Sequence, residues 1–195
     1  MTPDPNWRSN LTDPNRRSNT YDDLVRYVRP KDTFNDLWES IKFPEWLIYL
    51  AEAGGASKAN LVMLGCDVAR LCIPLIPEGI DRNLARKVIE TSELWCAGEA
   101  TVSQVSKTQR EINSIASVAQ TNAVAYFAIY YVPTAIISSF SYTGYIAGEF
   151  SHAKRAGIDA SVLCAVVRKF FGYEPTPPKK SLTVWQRLAK GDDDD

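Results

Sequence analysis

The chain has 195 residues, of which 45% are hydrophobic and 23% charged, with 22 basic and 23 acidic side chains. This length suffices for one domain with a full hydrophobic core, and the composition is ordinary for a soluble globular protein. The balanced charge excludes the basic stripe that a nucleic-acid-binding protein needs, so we expect no nucleic acid among the partners.

The N-terminal residues predict a flexible arm over 1–20, which precedes a helical domain over 21–172. The arm is rich in Pro, Asn, Asp and Arg and contains few apolar side chains, a composition that does not by itself form a core. It also lacks the apolar segment of a secretory signal. We therefore expect a cytoplasmic protein.

Short helices open the helical domain. The segments "YDDLVRYV" and "DTFNDLWESI" lie on either side of Pro30 and each has a helical pattern. Pro44 suits the first turn of a third helix, which Gly54-Gly55 should end. Ser57 can then cap a fourth helix that runs to the "IPEG" turn.

The middle of the chain has a clear helical period. Asp81 is a candidate cap for the next helix, Arg86 and Glu90 are spaced for an ion pair four residues apart, and Gly98 can end that helix. Thr101 then opens a helix whose apolar pattern continues without interruption as far as Pro133. The sequence therefore predicts one long helix over this stretch, with Pro133 dividing it from the next.

The stretch 112–148 contains no charged residue, which raises the question of membrane insertion. Several polar side chains and Pro133 interrupt the stretch, so we favour helices buried in the core of a soluble protein. Beyond it, Asp159 should cap a strongly amphipathic helix that runs towards Phe171.

The C-terminal part predicts a proline-rich linker over 173–180, then a short helix and acidic tail over 181–195. Leu182, Trp185 and Leu188 would give this helix an apolar face, which could dock on its own domain or be swapped onto a second copy in a homo-oligomer. Because no strand alternation occurs anywhere, we predict an all-α fold, a compact multi-helix array or bundle.

Catalytic and metal-binding patterns are weak in this sequence. Glu149 and His152 form one Glu-x-x-His motif, but a di-iron site needs a second histidine and the chain has only one. Ser57 and Lys58 resemble part of a phosphate loop, yet they follow a helix rather than a strand. The cysteines lack metal-ligand spacing and favour free thiols: they are Cys66, Cys72, Cys96 and Cys164. We expect no catalytic residue, metal or cofactor.

The corner "SELWCAGEATV" has two interpretations. As a joint, Trp95 supplies a large buried ring, Gly98 the left-handed turn, and Glu99 a negative charge near the next helix. As part of a site, the corner would border a polar groove between two helices. The candidate binding residues are Asp67, Arg70, Arg82, Arg86, Glu90, Trp95, Glu99 and His152.

The segments "LGCDVARLCIPLIP" and "ARKVIETSELWCAGEATVSQV" resemble the immunity proteins of bacterial polymorphic-toxin systems. The similarity covers about residues 57–172, whereas the tyrosine-rich middle, the N-terminal arm and the tail helix depart from the family pattern. The matching positions are Cys66, Asp67, Ala69, Leu75, Ile89, Glu90, Trp95, Gly98, Glu99 and His152. The resemblance implies an all-helical protein that neutralises another protein. Such domains also resemble proteins of phage genomes, where the target would be a bacterial effector.

Three functions follow as hypotheses. The first is a non-catalytic binding protein that neutralises a toxin or a bacterial defence effector by stoichiometric contact. The second is a binder or sponge for a small anionic ligand or nucleotide, in which Arg70, Arg82, Arg86 or His152 would hold the anion. The third is a structural or membrane-associated phage protein built on the uncharged segment 112–148.

Overall fold

The computed structural model describes four stretches of the chain, 2–12, 19–116, 123–138 and 142–172. Within these stretches the chain forms ten α-helices, one short 3-10 turn and no strand, which confirms the predicted all-α class. The helices are α1 (Trp7–Leu11), α2 (Asn19–Tyr27), α3 (Phe34–Ser40), α4 (Pro44–Ala53), α5 (Lys58–Cys72), α6 (Ile80–Cys96), α7 (Val102–Ala116), α8 (Ala123–Ile137), α9 (Tyr142–Arg155) and α10 (Ala160–Phe171), and the 3-10 turn is Ile73–Leu75.

Helices α5 and α9 form the centre of a compact array. Helix α5 contacts α6, α8, α9 and α10, and α9 contacts α4, α5 and α8. On one side α6, α7 and α8 pack against each other, and on the other side α4 contacts α1, α2 and α10. Apolar side chains from both layers are buried at the centre, among them Leu61, Leu64 and Phe150. Removal of this apolar surface from water is the main stabilising contribution to the fold.

Helix starts fall where the sequence predicted them at several points. Pro44 occupies the first turn of α4, where no backbone N–H is needed. The Ser57 and Asp159 side chains each accept a hydrogen bond from a backbone amide in the first turns of α5 and α10. Thr101 and Gln104 cap α7 reciprocally, with N···O distances of 2.7 Å and 3.3 Å. These local signals confirm four of the predicted starts.

The predicted cap at Asp81 is wrong. Helix α6 begins at Ile80, after Gly79 with φ +119°, so Asp81 lies inside the first turn. Its carboxylate accepts a hydrogen bond from the Tyr126 hydroxyl of α8, at 2.8 Å. Arg86 likewise donates to Asn83 instead of pairing with Glu90. A glycine with a left-handed backbone therefore starts this helix, and the acidic side chain is used for a tertiary contact.

The single long helix predicted from Thr101 to Pro133 is also wrong. Helices α7 and α8 are separate and pack against each other, and the Gln109 side chain donates to the Thr134 hydroxyl at 2.9 Å. In one continuous helix these residues would lie about 37 Å apart. Pro133 lies inside α8, which continues to Ile137. Apolar residues recur at helical spacing in both α7 and α8. The sequence pattern alone therefore does not distinguish one long helix from two helices packed against each other.

The N-terminal residues differ from the predicted flexible arm. Residues 7–11 form α1, which packs on α4 with the Trp7 and Leu11 side chains buried. The backbone amide of Asp4 donates to the Gly54 carbonyl at 3.0 Å. Two apolar side chains four residues apart therefore suffice to dock this segment on the core.

Several predictions at the chain ends are not tested. Residues 13–18 of the predicted arm lie outside the described residues. So do the predicted linker over 173–180 and the predicted helix and tail over 181–195, which leaves the domain swap through that helix as a prediction.

The uncharged stretch includes all of helix α8. Helix α8 is apolar on all sides and packs against α5, α6, α7 and α9, as expected of a helix in a core. Among the helices that the structure describes, none has both the length and the apolar character needed to cross a membrane.

Candidate functional site

Charged side chains of α5 and α6 form a face that we call the α5–α6 face: Asp67 and Arg70 of α5 with Arg86, Glu90 and Glu93 of α6. The Arg70 guanidinium pairs with the Glu93 carboxylate, and it lies 3.7 Å from that of Asp67. The hydrogen bond to Glu93 raises the pKa of Arg70, while partial burial raises the pKa of Asp67. These contacts hold one cation between two anions at the junction of the helices.

A shallow pocket of about 330 Å³ lies on this face. Its lining combines two arginines and one carboxylate with apolar side chains: Arg70, Ile73, Pro74, Arg86, Ile89 and Glu90. Positive and negative groups therefore border the same small depression, and a bound molecule would have to complement both signs.

Arg82 is directed away from the pocket and stabilises the turn between α5 and α6. Its guanidinium donates to the Ile76 carbonyl at 2.6 Å and 3.2 Å, and to the Pro74 carbonyl at 3.3 Å. It also pairs with Glu78 at 3.1 Å. Arg82 does not line the pocket, and its donors are used by backbone carbonyls and Glu78.

The Trp95–Glu99 corner has the hydrogen bonds of a helix-ending turn. Gly98 has φ +79°. The Glu99 amide donates to the Leu94 carbonyl at 2.8 Å and the Gly98 amide to the Trp95 carbonyl at 3.0 Å, which is a Schellman motif. The corner is therefore a joint between α6 and α7. Leu94 and Val102, which lie on either side of Glu99 in sequence, are 44% and 47% exposed.

Lys58 lies beside the Trp95 ring and links it to the end of α8. The Lys58 ammonium donates to the Ile136 and Ser138 carbonyls at the end of α8, at 2.7 Å each. It lies 5.7 Å from the Trp95 ring centroid and 5.6 Å from that of Tyr142. Partial burial lowers the pKa of Lys58. The residues that resembled a phosphate loop thus join helices α5, α6, α8 and α9.

His152 lies on α9 against α8 and is separate from the α5–α6 face. Its ring packs against Phe127 and Tyr131, with centroids 5.8 Å and 5.1 Å away, and its Nδ1 lies 2.9 Å from the Gly148 carbonyl oxygen. These contacts indicate a structural role. Among the described residues, no group of three potential metal ligands occurs.

Glu149, the other member of the motif, points instead into the α5–α9 interface. It is fully buried, and neither carboxylate oxygen has a hydrogen-bond partner. A Cβ atom at Gly65 of α5 would lie only 2.6 Å from its Oε2, so the helices approach closely there. Burial raises the pKa of Glu149 well above its ordinary value, and the nearby Ala69 backbone amide opposes this effect. Glu149 and His152 therefore do not share a site.

A larger groove of about 580 Å³ between α2, α4 and α9 was not predicted from the sequence. Its lining includes aromatic side chains of α4 and small residues of α9, the latter at the positions Gly144, Ala147, Gly148 and Ser151. This spacing of small residues on one helix face was the available signal.

No known protein family, characterised protein or solved structure matches the chain. Of the eight candidate residues, four lie together on the α5–α6 face: Asp67, Arg70, Arg86 and Glu90. Arg82, Trp95 and Glu99 belong to the turns at its two ends, and His152 packs elsewhere.

Proposed function

We propose that the chain is a non-catalytic binding protein that neutralises a protein partner, a toxin or a defence effector, in the cytoplasm. The binding surface is the α5–α6 face. The observation that carries this proposal is the fixed array in which Arg70 lies between Asp67 and Glu93, beside the exposed Arg86 and Glu90. Charges held on two packed helices suit the recognition of a complementary protein surface.

Exposed apolar side chains adjoin this array. Leu94 follows Glu90 by one helical turn, and Val102 opens the next helix beyond the corner. Apolar groups bordered by charged groups are typical of the core and rim of protein interfaces.

A protein partner fits this face better than a small anion does. An anion held by Arg70 and Arg86 would also meet Glu90 in the same pocket, and Arg70 is already paired with Glu93. The third candidate arginine, Arg82, donates to backbone carbonyls. A protein surface can supply groups of both signs, whereas a phosphate supplies only one.

Site-specific photo-crosslinking tests the proposal. A photoreactive amino acid is placed at Leu94 or, as a matched control, at the exposed Val162 of α10, in cells that contain the natural partners. We expect position 94 to crosslink to one discrete protein. Position 162 should not crosslink to that protein. The affinity of that protein for purified wild-type chain should fall at least tenfold in Glu90→Arg. Identical crosslinks from both positions, or unchanged affinity in the variant, would contradict the proposal.

A small anionic ligand is the second candidate, because Arg70 and Arg86 both line the 330 Å³ pocket. Native mass spectrometry of the freshly purified chain distinguishes the two. A bound phosphate or nucleotide mass in the wild type, lost in Arg86→Ala and retained in Lys87→Ala, would favour the anion. A mass without adduct leaves protein neutralisation as the better proposal.

A further inference from the structure

The groove between α2, α4 and α9 has a volume of about 580 Å³ and an apolar rim. Its floor on α9 is formed by residues without large side chains, including Gly144, Gly148 and Ala147. Small residues at these spacings leave a channel along the helix, into which the side chains of another segment can fit.

Aromatic side chains form one rim of this groove. Phe43 and Trp46 line the groove, and Phe43 is 52% exposed with its ring centroid 4.7 Å from that of Trp46. Tyr27, which is 44% exposed, packs on Trp46 beside the groove at 5.1 Å. Three neighbouring aromatic rings that remain partly in water form an apolar patch of the kind that marks an interaction site.

Across the groove, the Lys154 ammonium and the Glu45 carboxylate are 2.9 Å apart, so these two charges neutralise each other. Asp23, which also lines the groove, lies 3.5 Å from the Arg26 guanidinium. The groove is therefore suited to a segment with an apolar face.

The C-terminal end of α10 lies close to this rim. The Arg168 guanidinium donates to the Ile41 carbonyl at 2.7 Å, and the Phe171 ring contacts that of Trp38. Ile41 precedes Phe43 by two residues. From the reach of an arginine side chain and the rise of a helix, the chain leaves α10 at Gly172 within roughly 20 Å of the rim.

The length and composition of the following segment match this distance. Residues 173–180 contain three prolines, and an extended proline-rich chain of this length spans about 25 Å. Leu182, Trp185 and Leu188 follow at intervals of three residues, and the sequence predicts that they share one helix face. The segment lies outside the described residues.

We propose that the groove is the docking site for residues 181–189 of the same chain, with Trp185 against the Phe43 rim. Docking within one chain is favoured because the short linker gives the segment an effective concentration in the millimolar range. A second copy at micromolar concentration competes poorly with this. The proposal does not depend on the α5–α6 face.

Hydroxyl-radical footprinting of the full chain, read by mass spectrometry, tests this docking. The double variant Trp185→Ala/Leu188→Ala removes the apolar face, and the matched control Thr183→Ala/Gln186→Ala changes the other face of the same predicted helix. We expect the oxidation rates of Phe43 and Tyr27 to rise at least threefold in the first variant and to stay unchanged in the control. Leu94, distant in the fold, serves as an internal reference that should not change.

Two results would overturn the proposal. Equal oxidation of Phe43 in the wild type and the double variant would show that the segment does not cover the rim. Protection that increases with protein concentration, together with a dimer in sedimentation velocity, would identify a second copy as the occupant. Unchanged circular dichroism and Leu94 oxidation exclude a folding defect as the cause of any increase.

Discussion

The buried Glu149 carboxyl group should give the free energy of unfolding a specific pH dependence, which Glu149→Gln would remove. The side chain is fully buried between α5 and α9 and its oxygens have no hydrogen-bond partner. Burial without a counterion disfavours the carboxylate, so the pKa in the folded state lies well above the ordinary value of 4.5. The folded protein therefore holds this proton over a pH range in which the unfolded chain releases it.

The sign and magnitude follow from linkage. Below pH 4.5 the group is protonated in both states and does not disfavour folding. As the pH rises from there towards the folded-state pKa, ionisation stabilises only the unfolded chain, and the free energy of unfolding falls by about 1.4 kcal/mol per pH unit. Above the folded-state pKa no further loss arises from this group.

Urea unfolding of the wild type and Glu149→Gln, followed by circular dichroism between pH 4.5 and 8, measures this effect. The amide has nearly the same shape as the protonated acid and stays neutral, and all other groups titrate in both proteins. The difference in unfolding free energy should therefore shift in favour of the variant by about 1.4 kcal/mol for each pH unit between 4.5 and the folded-state pKa of Glu149, and then level off. A difference that stays constant from pH 5 to 7.5 would show that Glu149 is ionised in the folded protein, and the reasoning would be refuted.

Three further predictions concern packing and capping. Gly65→Ala should destabilise the protein by about 1–3 kcal/mol in urea unfolding, because the new Cβ atom would lie only 2.6 Å from Oε2 of the buried Glu149 side chain. The matched control Gly148→Ala, whose Cβ would lie 3.6 Å from the nearest ring atom, should be neutral or stabilising by up to about 1 kcal/mol; equal losses would contradict the close approach. Arg168→Ala should lower the free energy of unfolding by about 2 kcal/mol, because three carbonyls at the end of α3 lose their hydrogen-bond donor. The control Lys169→Ala, at an exposed position, should change stability little. A similarly small change in both variants would exclude a capping role for Arg168. Burial raises the pKa of Cys72 to about 12, so its thiol should resist iodoacetamide at pH 8 in the folded protein and react in urea, as mass spectrometry of the alkylated peptide would show.

The parts of the fold that the sequence predicted are those fixed by local chemistry. Ser57 caps α5 through an amide three residues away, and Gly98 ends α6 through its own backbone conformation. Such signals act within one turn and can be identified in a short stretch of sequence. The same holds for Pro44 at the start of α4. The all-α class could be predicted because most of the chain consists of stretches with a helical period, and these start and stop signals lie between them.

The parts that were missed depend on contacts between distant segments. The division into α7 and α8 is stabilised by side chains such as Gln109 and Thr134, which meet only because the chain reverses. Helix α1 is held on α4 by the burial of its apolar side chains, and the residues of α4 that bury them lie far from Trp7 in sequence. Propensity and periodicity do not encode which partner a face will find.

The candidate site shows the same division. Four of the residues that the sequence assigned to one polar groove lie on the α5–α6 face, because successive helices joined by a short turn are usually neighbours. They are Asp67, Arg70, Arg86 and Glu90. The sequence did not predict that Arg82 donates to backbone carbonyls. The groove between α2, α4 and α9 escaped prediction because its walls come from segments about 100 residues apart, as in the bond from Lys154 to Glu45 with a separation of 109.

The bonds from Arg168 to the end of α3 also have a consequence for synthesis of the chain. They join residues separated by up to 130 positions, and α4 is covered by α9 and α10 in the same way. At about 5–20 residues per second, the N-terminal helices would wait roughly 6–26 s for α10 to be made. Over that interval Leu47 and Ile48, which are fully buried in the finished fold, lie on a helix that still lacks its contacts with α10 and, for most of the time, with α9. The nascent N-terminal layer is therefore the part of this protein most open to chaperones, proteases and contacts with other nascent chains.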